Sequence, residues 1–86
     1  MQARPNVIVD AIRPPQLRAA RALLGWSQDQ LSVASSIPKR TIARLELGEV
    51  TPQRRTVETL RTALETAGVE FIAENGGGPG VRLARR

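Results

Sequence analysis

No stretch of this chain limits its fold as much as residues 27–48, SQDQLSVASSIPKRTIARLELG, where two short helical patterns meet across a tight break and end at a glycine. Ser27 is a good N-cap, because its hydroxyl accepts from the open N–H groups of a first helical turn, and Gln30 three residues on completes a capping box. Leu31 and Ala34 supply the inward face of this first helix. Ser35 and Ser36 interrupt it, Ile37 is an apolar plug, and Pro38 suits the first position of a second helix, where the N–H it lacks has no partner anyway. In the second helix Ile42 and Leu45 face the core, while Lys39, Arg40, Ala43 and Arg44 point outward. Gly48 ends it as the residue after the cap.

These residues resemble the DNA-binding domains of the phage lambda repressor, Cro and Xre type, whose motif reads roughly Q-x-x-L-A, a small turn, then I-x-x-x-E-x-G. Gln28, Leu31, Ile42, Glu46 and Gly48 match it, and the likeness spans residues 17–68. The resemblance implies a mainly α fold, a four-helix lambda-repressor-like helix-turn-helix domain. Three positions depart from the pattern. Ser32 stands where alanine is usual, Ser36 where glycine often takes the left-handed turn, and Pro38 where serine or threonine caps the second helix. Ser32 is small, Ser36 at positive φ carries a modest strain, and Pro38 replaces a cap by a preset φ, so the motif tolerates all three.

Composition narrows the partners. With 86 residues the chain makes one small domain, which buries a limited fraction of its surface when alone, so dimerisation would help it. Cysteine and histidine are both absent, which excludes disulfides, Cys/His zinc sites, thiol nucleophiles and imidazole bases. No cofactor is expected, and an enzyme reading finds no nucleophile beside a base. The net charge is +5 with a pI near 11.5, and every cation but Lys39 is arginine, the residue suited to bidentate contact with phosphate and guanine. Polyanions are the natural partners. No apolar run approaches the ~18 residues of a membrane span and no secretory leader is visible, so the expected place is the cytoplasm, on the nucleoid when DNA-bound.

In chain order, residues 1–13 hold the apolar run Val7, Ile8 and Val9, read either as a short strand or as an extended arm. From Pro15 the pattern Leu17, Ala20, Arg21, Leu23 and Leu24 is helical and stops at Gly25, with Arg18 and Arg21 toward its outer sides. Trp26 follows as an aromatic expected to pack on the core, since one lone ring is no stacking platform for bases. After a loop marked by Pro52, a last helix is built on Val57, Leu60, Ala63, Leu64 and Ala67 and ends at Gly68, closing a helix-turn-helix domain over residues 14–68. Residues 69–86 then change to an alternating period. Val69, Phe71 and Ala73 share one side, and Val81 and Leu83 return after Asn75-Gly76-Gly77-Gly78-Pro79-Gly80, which reads as a β-hairpin with a wide turn and a basic tail. The glycines lack the G-x-x-x-x-G-K-[ST] order of a phosphate loop. Val69, Phe71, Val81 and Leu83 are expected either to pair across a dimer through an exposed strand edge or only to cover the helical core.

The resemblance also implies roles. Lys39, Arg40, Ala43 and Arg44 fall where family members touch base edges in the major groove, with the alanine near a thymine methyl. Gln28, Thr41, Arg54 and Arg55 fall where phosphates are held, setting register and not sequence, and Glu46 makes a structural contact within the motif. The expected function is a dimeric repressor of its own promoter, reading an inverted-repeat operator in double-stranded DNA. The alternative is a protein-interaction module on the same scaffold, of antitoxin or antiactivator type, encouraged by apolar Val33, Ala34 and Leu47 at places where the family commonly puts polar residues.

Overall fold

A computed structural model describes residues 12–74 and 76–84, so the arm or strand expected at residues 7–9 lies outside the described residues. Four helices come first: α1 Pro14–Leu24, α2 Gln28–Ser35, α3 Lys39–Glu46 and α4 Arg54–Thr66. An antiparallel hairpin of β1 Val69–Ile72 and β2 Gly80–Leu83 closes the order. The architecture is thus the mainly helical one that the sequence predicts, with a two-stranded addition.

Local chemistry sets the boundaries. Pro14 begins α1, and Gly25 ends it in the left-handed region at φ 69°. The Ser27 hydroxyl accepts from the Gln30 N–H at 3.0 Å while the Gln30 side chain accepts from the Ser27 N–H at 2.7 Å, so the expected capping box starts α2. Ser36 ends α2 with φ 63°, the one left-handed non-glycine among the described residues. The Ser32 hydroxyl donates to the Ile37 carbonyl at 2.6 Å, tying down the turn where an alanine would contribute nothing. Gly48, at φ 74°, closes α3: its N–H bonds the Leu45 carbonyl and the Glu49 N–H bonds the Arg44 carbonyl, a Schellman pair that satisfies two orphan acceptors.

The core gathers Leu17 and Ala20 of α1, Leu31 of α2, Ile42 and Leu45 of α3, Leu60 and Leu64 of α4, and Val69 of β1. Each large aliphatic side chain among them contributes about 1.5–3 kcal/mol by leaving water. Ile12, Trp26, Ile37, Phe71 and Val81 pack against its rim, so Trp26 takes the packing role expected of it.

Four local expectations are corrected. Pro38 is the N-cap of α3 and not its first helical residue, since its ψ of 141° is extended and Lys39 begins the helix. Ala34 is exposed and Ser35 is buried in its place, its hydroxyl donating back to the Leu31 carbonyl at 2.7 Å, which removes the cost of burying it. Arg21 does not point outward but turns in to a carboxylate described below. Ala73 lies beyond the end of β1 and is exposed.

The hairpin pairs Val69 with Leu83, Glu70 with Arg82, Phe71 with Val81 and Ile72 with Gly80. Its apolar face leans on α1 and α4: Val69 is buried, Phe71 and Val81 are half-buried, and Arg61 of α4 sits 5.3 Å over the Phe71 ring. Leu83 remains 53% exposed. Gln16, buried in α1, accepts from the Arg13 N–H and donates to the Gly80 carbonyl at 3.0 Å, fastening the hairpin to the start of the helical part. Much of the apolar face of the hairpin is therefore used within one chain.

Candidate nucleic-acid interface

α3 presents two faces. Ile42, Leu45 and Glu46 are buried; Lys39, Arg40 and Arg44 are exposed, and Thr41 and Ala43 lie half-exposed between them. The sequence-predicted base-contact residues therefore share one outward stripe, and Leu47, 70% exposed, continues it.

What fixes the angle of this helix is an ionic knot beneath it. Arg21 of α1 donates to Glu46 with two nitrogens, Nε to Oε2 at 2.6 Å and Nη2 to Oε1 at 2.8 Å. Gln28 of α2 donates from Nε2 to the same Oε1 at 3.0 Å, and Arg18 of α1 donates to the Glu46 backbone carbonyl. A third Arg21 nitrogen reaches the Trp26 carbonyl at 2.9 Å. Burial pushes the Glu46 carboxyl up, but the hydrogen bonds from Arg21 and Gln28 and the charges of Arg21 and Arg18 outweigh it and leave the carboxyl below its ordinary range. The bond to Glu46 in turn raises Arg21. One carboxylate thus ties α1, α2 and α3 together, as expected of Glu46, and Gln28 braces the helix from the side where α2 begins. Arg21 was not legible as its partner, because helical spacing alone places that side chain at the margin of α1.

The flanks add open backbone donors. Neither Pro38 before α3 nor Gln53 before α4 makes a side-chain cap bond, so the first-turn N–H groups of both helices stay available. Arg54 and Arg55 are the first two residues of α4 and both are exposed. Helix N-termini of this kind, with their partial positive charge, suit phosphate oxygens.

Charge pairing singles out two of the arginines. Every acidic residue in the described part has a basic partner within 4 Å: Glu74 with Arg13, Glu46 with Arg21, Asp29 with Lys39, Glu49 with Arg44, Glu58 with Arg54, Glu65 with Arg61 and Glu70 with Arg82. Arg18, Arg40 and Arg55 have no such partner among the described residues, but Arg18 is turned to the Glu46 backbone carbonyl, which leaves Arg40 and Arg55. They stand on the α3 stripe and on the first turn of α4.

Residues 17–71, well over half of the chain, match the family described as Helix-turn-helix, of the Xre and Cro type. The chain belongs to the helix-turn-helix family. No curated protein matches it. This Xre-type helix-turn-helix protein is accordingly a DNA-binding transcriptional regulator, and no helix among its described residues is long and apolar enough to cross a membrane.

Proposed function

We propose that this regulator is a dimeric repressor that reads an inverted-repeat operator in double-stranded DNA, its own promoter region included, and acts on the nucleoid in the cytoplasm. The observation that carries the reading is the outward stripe of α3, held at a set angle by the Glu46 knot. Lys39, Arg40 and Arg44 donate to guanine O6 and N7 in the major groove, and Ala43 meets a thymine methyl. Gln28, Thr41, Arg54 and Arg55 hold phosphates on either side and set the register. In this scheme residues 14–68 read DNA and residues 69–86 join two copies, with no cofactor taking part.

The test is a titration of two labelled duplexes at two salt concentrations, one from the region upstream of the coding sequence and one random. Preference for the upstream duplex of ~10³-fold or more, with a symmetric footprint, is expected. Arg44→Ala should then cost about 1–3 kcal/mol and relax preference at one base pair, whereas Arg55→Ala should weaken all duplexes alike. Equal loss on both duplexes for Arg44→Ala would remove it from base reading.

A second reading has one observation behind it. Val33 and Leu47 are 84% and 70% exposed, apolar side chains turned to solvent on α2 and at the end of α3. They suit a partner protein of antitoxin or antiactivator kind on the same scaffold. Weak and equal binding to both duplexes, with only a steep salt dependence, would favour it.

A further inference from the structure

Two carboxylates flank the base-reading stripe. Asp29, in the first turn of α2, lies 3.4 Å from the Lys39 ammonium, and Glu49, just past α3, lies 3.9 Å from the Arg44 guanidinium. All four side chains are more than half exposed, so neither pair is needed to neutralise a buried charge. The Glu49 N–H bonds the Arg44 carbonyl at 3.0 Å, which sets the backbone of this acid beside its partner. Lys39 and Arg44 are the first and sixth residues of α3, so the acids guard the two ends of the stripe, and Arg40 between them has no carboxylate among the described residues.

A basic side chain meets two kinds of acceptor on DNA, and a neighbouring carboxylate treats them differently. When the cation reaches a phosphate, its carboxylate is brought close to a second anion and the like charges repel. A guanine edge is neutral and brings no such repulsion. An ammonium has three donors and a guanidinium five, so Lys39 or Arg44 keeps its carboxylate and still donates to O6 and N7. We propose that Asp29 and Glu49 are specificity determinants, which leave Lys39 and Arg44 able to read bases while weakening their use as general phosphate contacts. This rests on the base-reading roles assigned above.

The experiment uses a duplex enriched by the wild-type protein from a randomised pool, alongside an unselected duplex, across a salt series. Asp29→Asn and Glu49→Gln are each expected to tighten the unselected duplex about threefold and to steepen its salt slope by up to ~0.9 per phosphate gained. The enriched duplex should change less than that, so the ratio between the two falls, by up to about ninefold in the double variant if the two add. Glu70→Gln makes the same change in net charge on the hairpin and should leave the ratio intact. Thermal melts confirm folding, which exposed side chains do not endanger. An equal shift on both duplexes, no shift on either, or a matching loss of ratio in Glu70→Gln overturns the proposal. If the wild type enriches no duplex at all, the base-reading assignment itself fails, and that outcome is read before any variant is made.

Discussion

A carboxylate in the last turn of a helix opposes the helix dipole, and burying it adds a desolvation cost. Glu46 suffers both at 3% exposure and is held only because Arg21, Gln28 and Arg18 surround it. Removing one partner of such a pair leaves the other uncompensated, so Glu46→Ala should cost about 3 kcal/mol, at the low end for buried pairs because Arg21 keeps 19% of its side-chain surface in water. Since the folded carboxyl lies below its ordinary value, its stabilisation is fully present above the unfolded glutamate pKa of about 4.3 and fades as pH falls through the lower folded one. Denaturant titrations at neutral pH and in acid should show wild type losing stability over that interval, and Glu46→Gln, already weaker at neutral pH, losing less. Parallel acid slopes for the two proteins would assign the knot no role in acid stability. On DNA, Glu46→Gln should lower affinity without changing which base pairs are preferred, because it loosens the angle of α3 and removes no contact.

At the scale of elements, the turn between α2 and α3 carries a strained residue. Ser36 holds φ 63°, a region that costs a residue with a Cβ roughly 1–2 kcal/mol and glycine almost nothing. Its side chain is exposed and makes no hydrogen bond among the described residues, so nothing is lost with it. Ser36→Gly should therefore stabilise the protein by about 1 kcal/mol, reduced a little by the freer unfolded chain, and raise Tm by about 4–8 °C. A lower Tm would mean that the serine serves the turn in some other way. The left-handed turn at Ser36 was implied by the family resemblance alone, whereas the capping box at Ser27 and Gln30, the stops at Gly25, Gly48 and Gly68, and the outward stripe of α3 were legible in the residues themselves. Each is a local signal whose cause lies within four residues. Most of what stayed hidden depends on how separate elements meet, and the rest on helices too short to show their period. An eight-residue helix has barely two turns, too few for periodicity to separate Ala34 from Ser35, and serine is buried there only because it bonds back to Leu31. Arg21, Gln16 and the pair of Asp29 with Lys39 reveal their roles only when separate elements meet. That the C-terminal segment forms a hairpin followed from alternation, yet neither its register nor the surface its apolar side would meet could be read there.

For the whole molecule, the proposed dimer needs a surface on which two copies can join. The Ala84 N–H donates to the Gly68 carbonyl at 2.7 Å, and with the observed register this makes Glu70 with Arg82 and Ile72 with Gly80 the hydrogen-bonded pairs. The N–H and C=O groups of Val81 and Leu83 then point away from β1, along an edge that no other strand of the described residues covers. A second β2 laid antiparallel on that edge gives a four-stranded sheet and covers the exposed Leu83 side chain. Leu83→Pro separates pairing from folding: it removes an N–H that takes no part in the β1–β2 ladder and places proline where a strand edge tolerates it. Sedimentation equilibrium at micromolar concentration should give about twice the 9.4 kDa chain mass for wild type and a single chain mass for the variant, with Tm lowered only by the share that the dimer contributed. On an inverted repeat the variant should bind its half-sites one at a time, weakly and without cooperation. A Leu83→Pro protein that keeps the doubled mass would move the dimer contact away from the hairpin edge, and the same centrifuge would then be turned on Val33→Lys and Leu47→Lys, the other strongly exposed apolar positions.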